Sequence, residues 1–211
     1  MSDIRQFQTH PEVDVATESP LAYSLQRSGA PAITSTSQVI LRERPCLGHL
    51  ILRGGAIVLD EALREVLGLS LPSQPHGLNH DASGERSVQW LAPDEWLLIV
   101  PGGEEFSLES QLRDVLGDSH VSIVNVSGGQ TVIDIEGEMA RAVLMKSSHY
   151  DVHPSAFPVG KGVTTGFAKT SAILRRPSAS RWELVIRRSF ADYLYRWLLD
   201  AGEEYGIGVE R

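Results

Sequence analysis

A strand, a helix, two strands, a second helix and a closing strand can be read twice along these 211 residues. That doubled order predicts an α+β fold duplicated from two split βαβ, ferredoxin-like units. Two observations carry the prediction. Some segments place apolar residues at helical spacing along one side, while the segments between them alternate or run apolar for the length of a strand. Gly, Pro, Asn and Asp stand at the joints, where the chain must turn.

Residues 1–40 are rich in Ser, Thr, Pro and Gln and lack a sustained period, so they are expected to form an N-terminal arm, partly extended. Residues 41–211 are expected to form one duplicated domain whose halves meet near 127–130. In "CLGHLILRGG" a short apolar run closed by Gly54 and Gly55 reads as strand and turn. A helix follows, with Asp60 placed to cap it, Ala62, Leu63, Val66 and Leu67 on its apolar side and Gly68 to end it. Residues 72–86 read as a polar loop. "VQWLAPDEWLLIVPGG" gives two strands around a Pro93–Asp94 turn, and Ser107 opens a helix that Gly117 ends. "VSIVNV" is the next strand. In "QTVIDIEG", Thr131, Ile133 and Ile135 alternate with Val132, Asp134 and Glu136, which predicts one wetter face.

The second half continues with a helix over about 138–146 and strands near 163–169, 172–175 and 182–187. A final helix, "SFADYLYRWLLDAG", and a strand near "YGIGV" close the chain. Ser189 is placed to cap that helix and Asp192 to reach back to its first turn. Advancing 100° per residue puts Phe190, Leu194, Trp197, Leu198 and Ala201 on one side, with Tyr193 at its margin. Tyr195 and Leu199 then fall on the opposite side with Asp192 and Arg196. That mixture suits a protein interface, so Tyr195, Leu199 and Arg196 are candidate partner contacts.

Composition narrows the function. A formal charge of −8 without a dense Lys/Arg block offers no footprint for nucleic acid or anionic lipid. Apolar runs such as "WLLIV" are far shorter than a membrane span. The single Cys46 cannot form an internal disulfide, and no signal sequence is evident, so a reducing cytoplasm is expected. "GKGVTTG" lacks the strand before it and the helix after it that a dinucleotide loop needs. His76 and His80, like His149 and His153, have a helical ligand spacing but lie in loop sequence without a third ligand. Cys46 and His49 would point to opposite faces of a strand, and that thiol is read as buried and inert. Asp94 and Glu95 are explained by their turn. No catalytic, cofactor-binding or metal residue is assigned.

Four stretches add a family resemblance: "SPLA" (19–22), "WLAPDEWLL" (90–98), "DVHPSAF" (151–157) and "RRSFADYLYRW" (187–197). With Trp90, Pro93, Asp94, Trp96, His153, Pro154, Phe157, Arg188, Phe190, Tyr193 and Trp197 as its motif residues, the chain resembles the gamma subunit of heterotetrameric sarcosine oxidase from residue 19 onward. The resemblance departs at "NVS" (125–127) and "KSSHY" (146–150). It implies a folate-binding, aminomethyltransferase-type fold and a place beside alpha, beta and delta subunits, with alpha the expected direct contact. The implied complex oxidatively demethylates sarcosine to glycine, yields hydrogen peroxide and passes a one-carbon unit to tetrahydrofolate. FAD, FMN, NAD, zinc and folate sites are implied for other subunits. An equivalent subunit of N-methylglutamate dehydrogenase, a free-standing folate-binding protein and an independent binding module are the competing readings.

Overall fold

The computed structural model describes residues 17–27 and 30–210, so residues 1–16 of the expected arm lie outside the described residues. In chain order the first half contains α1 (Ala22–Arg27), β1 (Val39–Arg44), β2 (Gly48–Arg53), α2 (Ala56–Leu67), β3 (Leu78–His80), β4 (Ser87–Ala92), β5 (Glu95–Val100), α3 (Glu105–Leu116) and β6 (Ser122–Asn125). The second half contains β7 (Gln130–Glu136), α4 (Ala140–Ser147), β8 (Lys161–Phe167), β9 (Thr170–Arg176), β10 (Arg181–Arg187), α5 (Ala191–Gly202) and β11 (Ile207–Glu210).

The strands form two sheets, a five-stranded one ordered β3-β4-β5-β2-β6 and a six-stranded one ordered β11-β1-β7-β10-β9-β8. β1 belongs to neither expected half in sequence, yet it pairs antiparallel with β7 and parallel with β11, which ties the start of the fold to its end. The sequence reading missed β1 because "VILRER" ends in three consecutive charges, Arg42, Glu43 and Arg44, which mask its strand pattern. It also missed β3, which lies within the expected polar loop.

The sheets stack face to face, with helices outside both. Leu97, Ile99, Val132, Ile173 and Val185 meet between the sheets. α2 and α3 cover the smaller sheet through Leu59, Leu63, Leu108 and Leu112, and α4 and α5 cover the larger through Val143, Leu144, Leu194 and Leu198. A strand such as β7 is therefore buried on both faces, as strands in layered folds are. The wetter face expected for residues 130–136 is not present: residues 131–135 are all buried, because a second sheet covers the side that carries Asp134.

Helix ends also differ from expectation. Asp60 lies inside α2, whose cap is Gly55, and its carboxylate accepts the Leu71 N–H instead. Ser107 lies inside α3 and donates to the Glu104 carbonyl. Gly68 ends α2 in the left-handed conformation, as its position predicts.

Gly137, at the exit of β7, has φ +111°, and a Cβ there would overlap the Gln38 carbonyl oxygen. Gly137→Ala is expected to cost about 1–3 kcal/mol, seen as a lower urea midpoint. Gly55→Ala should be close to neutral, since a Cβ at Gly55 meets nothing and its φ of −65° suits any residue.

Candidate functional site

The charges missing from the core's apolar pattern gather in one layer between the sheets. On the larger sheet, cross-strand register aligns Arg42, Asp134, Glu183, Arg175 and Gly162 from β1 to β8. On the smaller sheet it aligns His49, Ile99, Ser87 and His80. The two rows meet: Arg175 Nη2 donates to Ser87 Oγ at 2.6 Å, and Gln89 Nε2 donates to the Gly162 carbonyl at 2.8 Å. Gly162 permits that approach, since any Cβ would occupy the space of the Gln89 amide.

Within the layer, Arg175 Nε lies 3.1 Å from Glu183 Oε2, both side chains being almost fully buried. Arg44 and Arg181 reach the other Glu183 oxygen at 3.2 and 3.3 Å. Burial pushes the Glu183 carboxyl upward, but Arg175, Arg181 and Arg44 outweigh it and hold the group below the usual carboxylate range. Asp134 behaves oppositely: burial raises it further than the Arg42 hydrogen bond at 2.7 Å lowers it, and Glu183 adds like-charge repulsion. Burial also lowers Arg175. His49 and His80 are each lowered to about 4, chiefly by burial and then, among charges, by Arg175. His49 Nδ1 lies 3.0 Å from the Leu47 carbonyl, so the neutral ring carries its proton on Nδ1. The layer locks two sheets together; its charged groups meet in these ion pairs, while Asp134 Oδ1 and Arg175 Nη1 remain buried without a hydrogen-bond partner among the described residues.

Sequence reasoning missed this layer, although a signal was present. Asp134, Glu183 and Arg175 each interrupt an apolar strand, and a charge flanked by buried neighbours on one strand calls for an opposite charge across the register.

The last helix corrects the expected partner face. Ser189 and Phe190 belong to a 3₁₀ turn, Arg188–Phe190, and α5 begins at Ala191. Its buried side is Ala191, Leu194, Tyr195, Leu198 and Ala201, a center turned by about 60° from the one expected. Including Phe190 in the helix and counting Trp197 as core caused the error. Tyr195 is 1% exposed and belongs to the core, so it cannot present itself to a partner; Leu199 is half-buried beside that core. Arg196 is exposed and pairs with Asp192. Asp192 does not reach back to cap: it accepts from Ser24 of α1 at 2.6 Å. Phe190 and Tyr193 are the exposed aromatics here.

The motif residues fall at separate places. Trp96 is core beneath α2 and α3, and Trp90 meets the His76 ring edge-on. Pro93 and Asp94 form the β4–β5 turn, where the Asp94 carbonyl accepts the Gly54 N–H and its carboxylate pairs with Arg53. Phe157 is fully buried between Tyr150 and Trp182, held by the turn of His153 and Pro154. Trp197 donates from Nε1 to Ser147 Oγ at 3.0 Å, and Arg188 is exposed. "GKGVTTG" lies largely within β8. Cys46 is exposed in the β1–β2 turn at φ +54°, not buried as expected. Among the described residues no three His, Cys, Asp or Glu side chains gather as a metal would need, and no helix is long and apolar enough to cross a membrane.

A surface groove of about 860 Å³ runs beside β6, the edge strand of the smaller sheet. Phe106 and Arg113 of α3, Leu47, Val124 and Arg188 line it, and residues 17–20 form one wall.

Two sheets stacked face to face with helices outside both define the fold, which aligns with that of a solved aminomethyltransferase. The glycine cleavage system aminomethyltransferase T from Bartonella henselae aligns with TM-score 0.66 over 90% of this chain and 58% of its own, at 12% identity. A fuller likeness is to the heterotetrameric sarcosine oxidase from Corynebacterium sp. U-96 in complex with pyrrole 2-carboxylate. There one chain aligns with TM-score 0.78 over 90% of this chain and 96% of that one, at 30% identity. Sarcosine oxidase subunit gamma of Corynebacterium sp. (strain P-1) is 36% identical over 144 residues, 68% of this chain and 70% of the relative. The chain belongs to the sarcosine oxidase, gamma subunit family, which matches residues 54–204.

Proposed function

We propose that this chain is the gamma subunit of a heterotetrameric sarcosine oxidase and serves its assembly, not its chemistry. Family membership across residues 54–204, joined to a likeness spanning 90% of the chain to a sarcosine oxidase chain, carries the reading. In the complex, sarcosine is demethylated to glycine with hydrogen peroxide formed and a one-carbon unit passed to tetrahydrofolate. FAD, FMN, NAD, zinc and folate then belong to the alpha, beta and delta partners. The interior supports a structural role, because Arg175, Glu183 and Asp134 sit in a layer that joins the sheets. Residues 41–211 then form one domain of two ferredoxin-like halves meeting near 127–130, with β1 exchanged into the second. A cytoplasmic location accompanies this proposal.

The test is affinity purification of the tagged chain from its native host at moderate salt. Three co-purifying partners, one a large flavin-carrying subunit, and sarcosine-dependent hydrogen peroxide production by the eluate are expected. Recovery of the folded chain alone would overturn the reading.

A further inference from the structure

β6 has one satisfied side and one open side. Val126 N–H donates to the His49 carbonyl, which fixes the antiparallel alternation against β2: Ser122 and Val124 turn their backbone groups toward β2, and Ile123 and Asn125 turn theirs away. The Arg113 side chain confirms the geometry, donating from Nη2 to the outward Ile123 carbonyl at 2.9 Å. The Ile123 N–H and both backbone groups of Asn125 therefore face the groove. An open strand edge is a template for another strand. The apolar side chains beside it, with Val124 48% exposed, provide room for alternate residues of such a strand.

Charge selects the occupant. Arg113 is engaged by Glu109, Glu105 is buried with its carboxylate accepting the Gly103 N–H, and Glu18 on the wall has no ion pair among the described residues, which leaves Arg188 as the groove cation without a partner carboxylate. Arg188, exposed at the β6–β7 end, has no ion pair among the described residues. We propose that the open edge of β6 accepts an extended segment of another oxidase subunit, which adds a strand to the smaller sheet and sets a carboxylate against Arg188. This rests on the subunit reading above, which supplies the polypeptide partners.

Amide exchange at single-residue resolution, on the free full chain and on the chain assembled with its co-expressed alpha, beta and delta subunits, tests it. The Ile123 and Asn125 amides should slow by about tenfold or more on assembly, while the Val124 amide, already bonded to β2, is slow in both states. Asn125→Pro removes an outward N–H without touching the β2 ladder, and Arg188→Glu reverses the free charge. Each should weaken assembly by about tenfold while leaving the free chain folded. An assembled oxidase in which Ile123 and Asn125 exchange as in the free chain would overturn the inference and leave the subunit reading standing. Equal protection in the free chain would assign the edge to the chain's own residues 1–16 or to a second copy, and also overturn it. Failure to form any complex would remove both.

Discussion

Glu183→Ala is expected to destabilise the chain by about 3–5 kcal/mol, enough to leave little of a domain whose total stability is about 5–15 kcal/mol. Three arginines lose a partner, but not equally. Arg44 and Arg181 are 23% and 28% exposed at their side chains and can turn to water, whereas Arg175, at 2%, cannot. A guanidinium also cannot shed its charge by losing a proton. The contrast is Arg42→Ala, which strands Asp134. That carboxyl is already raised by burial and can take up a proton, so the loss should be smaller than for Glu183→Ala. Arg175→Met with Glu183→Leu removes both charges together and should recover most of the stability, because a buried pair barely repays its desolvation. Urea midpoints of the three variants decide the matter. If Glu183→Ala cost no more than Arg42→Ala, the buried ion pair would not be the center of the layer.

This layer also shows which parts of the fold were legible. The β4–β5 hairpin, the end of α2 at Gly68 and the second-half strands were fixed by local chemistry, where turn residues and periodicity act over a few positions. β1 was not, because Arg42 and Arg44 point into a layer supplied by residues more than ninety positions away, as in the Arg42–Asp134 bond. The same distance misled the reading of β7, whose Asp134 suggested water when the opposing surface was another sheet. On α5 the difficulty was local: Phe190 lies in a 3₁₀ turn ahead of the helix and Trp197 is only half-buried, so counting both as core displaced the center of the expected buried face. The groove depends on how β6, α3 and the N-terminal segment come together, which no single stretch records. Among its lining residues, Ser19 and Pro20 stood in "SPLA" and Arg188 in "RRSFADYLYRW", stretches that gave no sign of meeting.

Lowering the pH from 7 to 4 should remove about 3 kcal/mol through His49 alone. The neutral ring is buried against Leu47 and faces Arg175, and its folded value of about 4 lies below the ordinary 6.5. Between those values the unfolded chain binds a proton that the folded chain refuses, so stability is full above about 6.5 and falls as the pH drops toward 4. At about 1.36 kcal/mol per pH unit, that interval gives the stated loss. His80, lowered to a similar value but less buried, adds to it with the same sign and a smaller weight. The carboxyls act lower or oppose. Glu183, held below its ordinary value of 4.5, loses its contribution only as the pH falls past that point. Asp134, raised above 3.8, takes up its proton first in the folded state and so offsets part of the histidine effect. His49→Asn keeps a donor for the Leu47 carbonyl but cannot be protonated. Urea midpoints measured from pH 7 to 4 should therefore fall less steeply in that variant, by about one proton's slope. Parallel profiles for the two proteins would place the acid sensitivity outside the layer between the sheets.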